Sequence, residues 1–313
     1  MTSKVFIDGA AGTTGLEIRD RLASRRDIEL LTIAEDRRKD ASARADALNA
    51  ADAVILCLPD DAAREAVALI DNPSTRVIDA STAHRTAASW SYGFAELEPD
   101  QRELLALATR ISNPGCYPTG FLALVRPLVR AGLLPADTPL STNAVSGYSG
   151  GGKSMIAMFE DANSPEATET AFRAYALGLG HKHVPEMQKR AGLDYPPIFF
   201  PSVARTYRGM LVEIPLHLHL LPRRPSGEAI RDVLGEAYAD SALVRVARDN
   251  PPALMIEHAA GTDHLDLFVY ADEKAGQARL VAALDNLGKG AAGAAVQNLN
   301  IALGLGETEG LRL

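Results

Sequence analysis

Two cysteines in 313 residues, set in dissimilar surroundings, argue against a disulfide-built scaffold and fit a reducing compartment, the cytoplasm. No apolar run reaches the roughly 20 residues that a membrane-spanning helix needs. The N-terminal run Met1-Thr-Ser-Lys-Val-Phe-Ile7 enters a strand at once, which leaves no room for a secretion signal. The net charge is −8 and no long basic run is present, so nucleic acid is not an expected partner. Internal repeats and low-complexity tracts are missing too. So is any His, Cys and carboxylate cluster with metal-ligand spacing, and no metal is expected. What remains is 47% hydrophobic and 23% charged, the balance of a globular enzyme, and it is long enough for two domains.

The first third alternates strand and helix signals. Strands are expected at Lys4–Ile7, Ile28–Ala34, Ala53–Leu58, Val77–Ala80 and Arg110–Ser112, with helices at Ala41–Leu48 and Asp61–Ile70 between them. This rhythm predicts a parallel sheet covered on both faces. Gly9-x-x-Gly12-x-x-Gly15 follows the first strand and opens a helix whose apolar face is Leu16, Ile18 and Leu22. A loop without bulky side chains lets helix N–H groups approach a dinucleotide pyrophosphate; a plain tight turn is the alternative. Glu35-Asp36-Arg37-Arg38-Lys39 ends the second strand and offers both an acid for a ribose 2′-OH and cations for a 2′-phosphate. NAD and NADP therefore both stay open at this point.

Cys57 lies within the apolar run Ala53–Leu58 and reads as a buried structural residue. Cys116 differs. It sits in Ser112-Asn-Pro-Gly-Cys-Tyr-Pro-Thr119, where Gly115 suits a tight turn and Pro118 suits the first turn of a helix. The helix dipole and unpartnered N–H groups at such a position favour thiolate over thiol, which is how a nucleophile is made; an inert core cysteine is the alternative.

Beyond Cys116 the alternation breaks. Strands are expected at Pro139–Val145, Pro197–Val203, Gly209–Leu220 and Leu265–Ala271, with a helix at Gly227–Tyr238, so the second domain reads as a mixed or antiparallel sheet. Ser146-Gly-Tyr-Ser-Gly-Gly-Gly-Lys153 lacks P-loop spacing but is a flexible glycine loop ending in a lysine that could meet an anionic substrate. His181 and His183 approach a helix begun by Pro185 and Glu186 and are candidates for acid/base work, with a structural role or a metal as the alternatives. His217 and His219 read as one polar face of a strand. Arg85 leaves a strand end in Asp79-Ala-Ser-Thr-Ala-His-Arg85 and is a candidate anion contact, with a salt bridge as its alternative. The helix-like Asp285–Leu303 carries an Asn/Gln cluster (Gln297, Asn298, Asn300).

Together the glycine loop, Asp79–Arg85, the Asn-Pro-Gly-Cys-Tyr-Pro-Thr run, Ser146–Lys153, His181-Lys-His-Val-Pro-Glu-Met187 and Lys289–Asn300 resemble the N-acetyl-gamma-glutamyl-phosphate reductase family in its shorter form. The resemblance implies an α/β fold: a Rossmann-type domain plus an α+β, mixed-sheet domain, as in glyceraldehyde-phosphate and aspartate-semialdehyde dehydrogenases. The boundaries it implies are 1–115 with 287–313 for NADP, and 116–286 for catalysis, substrate and oligomerisation. It implies NADPH-dependent reduction of an acyl phosphate through a thioacyl enzyme, with Cys116 as nucleophile and His181 as acid/base. Arg85, Lys153 and Tyr175 become substrate candidates. Gly9, Gly12, Thr13, Thr14, Gly15, Arg37 and Asn298 become cofactor candidates. A homo-oligomer, dimer or tetramer, is implied as well. A sister dehydrogenase acting on another acyl phosphate and a non-enzymatic NADP sensor are the alternatives.

Overall fold

The computed structural model describes residues 2–37 and 40–313. It divides into two compact units, Met1–Pro114 with Ala291–Leu311, and Gly115–Gly290 with Arg312–Leu313.

In the first unit β1 (Ser3–Asp8), α1 (Thr13–Leu22), β2 (Ile28–Leu31), α2 (Ala41–Ala50), β3 (Ala53–Leu56), α3 (Asp60–Ala68), β4 (Arg76–Asp79), β5 (Ser91–Tyr92), α4 (Gln101–Leu107) and β6 (Arg110–Ser112) alternate as expected. All strand pairs are parallel, in the order β2-β1-β3-β4-β6-β5, the arrangement of a Rossmann-type sheet. The β3 residues are buried on both faces, which explains why Ala53-Val-Ile-Leu56 shows no polar alternation. The order reverses between β1 and β3, so the crevice at the strand C-termini opens beside Gly9 and Cys57.

The second unit runs α5 (Cys116–Arg130), β7 (Ser141–Gly147), α6 (Gly152–Glu160), β8 (Phe172–Ala174), α7 (Val184–Ala191), β9 (Ile198–Ala204), β10 (Met210–His217), α8 (Gly227–Ala237), β11 (Val244–Val246), β12 (Leu265–Asp272) and β13 (Gln277–Leu284). Its seven strands form a mixed sheet, β11-β12-β13-β10-β7-β9-β8. Helix α5 packs on β10, β12 and β13, and α8 on β11 and β12. Phe121 and Leu124 of α5 are fully buried, and truncating Phe121 to Ala would cost about 3–5 kcal/mol. The alternate residues of the sheet line an apolar groove of about 630 Å³ that includes Phe172, Phe200, Leu211, Tyr270 and Val281. Phe172 and Phe200 are exposed there.

The last helix, α9 (Gly293–Leu303), belongs to the first unit. Its small apolar face (Ala295, Val296, Leu299, Ala302) joins Val5, Ile7, Ile55, Ile78 and Ile111 in one buried cluster. Among the described residues no helix is long and apolar enough to cross a membrane.

Three local expectations need correction. The strand expected at Gly209–Leu220 stops at His217, and Leu218–Leu220 turn into a 3-10 helix, so His217 and His219 do not share a strand face. Gln277–Leu284 is not among the expected strands, yet it forms β13 between β12 and β10. The glycine run after β7 is pinned: Gly147, Tyr148 and Ser149 donate backbone N–H bonds to Gly209, Thr206 and Tyr207, and the run continues into a 3-10 turn and α6.

Candidate functional site

In the first unit, Gly9 has φ +87° and a side chain there would run into the Cys57 carbonyl. Glycine is required by both facts. At Gly15 an added Cβ would lie 2.5 Å from the Gly9 oxygen, so α1 starts tight against its own turn. Gly12 caps α1 with ordinary extended dihedrals and has room for a Cβ, 3.4 Å from the Gly9 oxygen. The protein itself does not demand glycine there, and its absence of a side chain keeps the helix start bare. No side chain caps α1 and no acid occupies its first turn. Thr13 Oγ1 is buried without a hydrogen-bond partner, and Thr14 follows on the same turn. Asn298 is fully buried on α9. Its Nδ2 donates to the Gly93 carbonyl (2.8 Å) and to Asn113 Oδ1 (3.0 Å), while its Oδ1 has no partner. A bare helix N-terminus with an orphaned buried hydroxyl on its first residue fits a dinucleotide phosphate.

Arg37 ends a 3-10 turn after β2, half exposed, with Asp40 Oδ2 at 3.4 Å. Arg38 and Lys39, read with it as a cation run, lie outside the described residues, as does the Glu35 side chain. Cys57 is half-buried, and burial, with the charges of Asp79 and Asp8 adding to it, pushes its thiol up to about 12. That holds it protonated and unreactive. Arg85 carries a structural duty beside the anion contact expected of it. It is buried, and its Nε and Nη2 donate to the backbone carbonyls of Asn113 (2.9 Å) and Ala80 (3.0 Å). Two of its five N–H donors thus brace loop carbonyls. Its neighbour His84 bonds through Nδ1 to the buried Asp79 (2.6 Å) and stacks on Trp90.

In the second unit Cys116 is the first residue of α5, capped by Gly115. Gly115 has φ −74° and ψ 151°, so the turn does not need glycine's conformational freedom, contrary to the sequence expectation. No acid stands in the first turn. The Gly115 N–H is taken by Glu186 Oε1 of α7 at 2.9 Å. Behind the thiol, a π-turn at Gly288–Ala292 brings Gly290 so close that a Cβ on it would sit 3.0 Å from the Cys116 Cβ.

Tyr175 and His181 meet near this thiol. The Tyr175 hydroxyl donates to the Tyr117 hydroxyl (3.3 Å), which donates to the Ser202 carbonyl (3.0 Å). Burial pushes the Tyr175 phenol up to about 12 against the effect of the Tyr117 bond, and the negative charge of Cys116 adds to the rise. Tyr117 is raised too, by burial first, with Tyr175 and Cys116 contributing. His181 Nε2 lies 3.5 Å from the Tyr175 hydroxyl, at the edge of hydrogen-bond range. Its Nδ1 accepts the His183 backbone N–H at 3.1 Å, which assigns the ring proton to Nε2. Burial, helped by the Lys182 charge, pushes the imidazole down to about 4, so it is neutral near pH 7. Cys116, Tyr175 and His181 are thus grouped, whereas Lys153 stands exposed on the first turn of α6. The segment joining Tyr175 to His181 holds Ala176 (φ 51°) and Leu179 (φ 65°) in left-handed backbone, a strain of about 1–2 kcal/mol each.

Sequence reasoning missed Tyr117, Gly290 and the reach of Glu186. Tyr117 could have been suspected from its place next to Cys116. The other two come from distant sequence, and no local pattern marks them.

Comparison with known proteins bears on both units. Residues 4–105 match the family model "Semialdehyde dehydrogenase, NAD binding domain" and residues 116–286 match "Semialdehyde dehydrogenase, dimerisation domain". The chain is 53% identical over 318 residues to N-acetyl-gamma-glutamyl-phosphate reductase of Trichormus variabilis, covering 98% of this chain and 99% of the relative. It is 54% identical to the protein of that name from Brucella ovis, covering 97% and 100%. Among solved structures, aspartate semialdehyde dehydrogenase from Francisella tularensis superposes with a TM-score of 0.73 at 14% identity, covering 96% and 99%, a likeness of fold.

Proposed function

This chain belongs to the semialdehyde dehydrogenase family, and from that premise we propose that it reduces N-acetyl-L-glutamyl 5-phosphate to N-acetyl-L-glutamate 5-semialdehyde and phosphate with NADPH, a step of arginine biosynthesis. The observation that carries the reading is the grouping of Cys116, at a bare helix start, with Tyr175 and His181. We assign NADPH to the first unit and the acyl-transfer chemistry to the second.

The N-terminus of α5 favours the Cys116 thiolate. Its sulfur bonds to the acyl carbon, the carbon–oxygen bond to phosphate breaks, and phosphate leaves with that electron pair, giving a thioester on Cys116. NADPH, when bound, supplies the hydride that reduces this thioester. The resulting oxyanion re-forms a carbonyl, the carbon–sulfur bond breaks, and the aldehyde and thiolate separate. Each stage passes through negative charge on the same oxygen. A neutral His181 holding its proton on Nε2 suits a hydrogen-bond donor to that oxygen, and Tyr175, kept protonated, becomes a second donor when its hydroxyl turns from Tyr117 to the substrate. The carbonyl oxygen then needs no proton of its own, and the one proton the overall reaction consumes is taken from solvent by the departing phosphate. This refines the acid/base role expected for His181.

Gly9, Gly12 and Gly15 would hold the pyrophosphate, with Thr13 Oγ1 and Asn298 Oδ1 as further cofactor contacts. Thr14 belongs to the same turn, and Arg37 is the candidate for the 2′-phosphate of NADP. Lys153 remains a candidate for the substrate's anionic groups, being exposed and charged. Arg85 remains a candidate anion contact through the donors not spent on bracing the Asn113 and Ala80 carbonyls. The apolar groove bearing Phe172 and Phe200 supports homo-oligomer formation through the second unit. Neither cysteine is in a disulfide, in keeping with a cytoplasmic site of action.

The test runs the reaction in reverse, with N-acetyl-glutamate semialdehyde, phosphate and either NADP or NAD, and with aspartate semialdehyde as the competing substrate. Turnover of the N-acetylated substrate with a preference for NADP is expected. Turnover of aspartate semialdehyde alone would overturn the substrate assignment.

A further inference from the structure

Between Tyr175 and His181 the chain reads Ala-Leu-Gly-Leu-Gly, and its glycines stand where the backbone makes no use of them. Ala176 (φ 51°) and Leu179 (φ 65°) occupy the left-handed region, which favours glycine. Gly178 and Gly180 lie outside that region, and a Cβ added to either would meet nothing within 4 Å. In the observed shape, then, residues with side chains carry the strain, and the residues built to tolerate it are idle. Such a mismatch between local sequence and backbone clusters at ligand clamps and switch segments.

The same segment leaves apolar surface in water. Leu177 is 70% exposed and Leu179 is 64% exposed. Among the described residues one backbone hydrogen bond lies within it, from the Leu179 N–H to the Ala176 carbonyl (3.0 Å). Its ends, by contrast, are held. The Tyr175 N–H donates to the Pro201 carbonyl (3.2 Å) and the Tyr175 hydroxyl to Tyr117 (3.3 Å). His181 Nδ1 accepts the His183 N–H (3.1 Å), and the His181 carbonyl accepts the Val184 N–H (3.0 Å). The two end side chains converge to 3.5 Å beside Tyr117, the neighbour of Cys116. A span fixed at both ends beside the site swings only about those ends, and an inward swing carries its leucines over the site. We infer that residues 176–180 form an apolar strap that closes over the acylated Cys116 and keeps water from the thioester. The inference rests on the reading above that Cys116 carries that thioester. The shielding matters because water competes with hydride and phosphate. Its oxygen bonds to the acyl carbon, the carbon–sulfur bond breaks, the sulfur recovers a proton, and the acyl group is lost as a carboxylic acid.

The test runs the reverse reaction without phosphate. N-acetyl-glutamate semialdehyde and NADP then form the thioester, only water clears it, and sustained NADPH formation reads hydrolysis. Leu177→Ser with Leu179→Ser removes the apolar cover, and both positions lie outside the buried core. Gly180→Ala fits the observed shape but restricts any other. Each variant should raise the ratio of phosphate-free to phosphate-dependent turnover about tenfold. A parental ratio in either variant overturns the strap. Hydrogen exchange over residues 172–183 checks the motion directly: exchange should be fast in the free enzyme and at least about tenfold slower once the thioester accumulates. Unchanged exchange overturns the strap, and so does slow exchange in the free enzyme, as a second copy seated on the leucines would give. A parent that leaves N-acetyl-glutamate semialdehyde untouched would refute the substrate assignment alone. Acetylation of Cys116 by p-nitrophenyl acetate then decides: faster thioester decay in both variants than in the parent upholds the strap, and parental decay in either overturns it.

Discussion

Helices α1 and α5 begin alike. Each follows a short connection from a parallel strand, takes glycine as N-cap in extended backbone (φ −73° at Gly12, −74° at Gly115), and lacks both a side-chain cap and a first-turn acid. They diverge in what stands at the bare end. At α1 the first residue is Thr13, whose hydroxyl is orphaned, and the Cys57 backbone carbonyl stands close to Gly9, the Cys57 thiol being pushed up to about 12. At α5 the first residue is Cys116, and a carboxyl from α7 closes the Gly115 N–H. On the proposed function one local device thus serves opposite ends: α1 would receive an anion from outside, and α5 would generate one of its own. The side chains gathered around the device, more than the device, determine which.

Exchanging the two thiols' roles is the harshest way to break this comparison. Cys116→Ser should cut turnover by more than about 1,000-fold while leaving NADPH binding within about threefold, measured by steady-state rates and fluorescence titration. Cys57→Ser should keep most of the turnover. A dead but folded Cys57→Ser enzyme would make the two turns more alike than described.

The glycines of α1 sharpen the contrast at the next scale. Gly15→Ala drives a Cβ to 2.5 Å from the Gly9 oxygen and must reshape the turn, so a loss of about 2–3 kcal/mol of stability and at least tenfold weaker NADPH binding are expected. Gly12→Ala has room within the protein and should cost under about 1 kcal/mol, yet still weaken NADPH several-fold by filling the space a pyrophosphate would enter. Calorimetry with titration separates the two effects. Equal losses of stability in both variants would remove the argument that Gly12 is kept bare for a ligand.

The smallest effect expected concerns pH. With its folded value held near 4, below the ordinary 6.5, His181 takes up its proton more readily in the unfolded chain. Stability from this group is therefore complete above about pH 6.5 and is lost as pH falls toward 4. Turnover should show no His181 inflection between pH 6 and 8. Lys182→Ala, which removes a charge that disfavours protonation, should move the acid limb upward; an unmoved limb would assign it to another group.

Much of the fold is legible from pattern. Period-2 and continuous apolar runs mark β1, β3 and β4, and the Gly-Cys-Tyr-Pro run marks the start of α5 to the residue. β13 escapes because Gln277-Ala-Arg-Leu-Val-Ala-Ala-Leu284 is rich in helix formers, and its last five residues are all buried, so alternation fades where the strand is covered on both faces. The site divides the same way. Residues that act through their own local geometry, Cys116 and the glycines, are readable. Glu186, Gly290 and the bracing role of Arg85 depend on partners brought from elsewhere in the chain, and spacing along the sequence carries no trace of them.

The helix made last completes the sheet made first. Ala295, Val296 and Leu299 of α9 close the same apolar cluster as Val5, Ile7 and Ile55, and Arg25 reaches 275 residues along the chain to Asn300 Oδ1. During synthesis the first unit must therefore wait, with that face of its parallel sheet uncovered, until nearly the whole chain has emerged. The stretch from Gly115 to Gly290, nearly all of the second unit, is contiguous and has no such debt. Pulsed proteolysis during refolding should find the second unit protected first and the first unit only afterwards. The first strand of the protein is, in kinetic terms, among the last parts of it to become safe from aggregation.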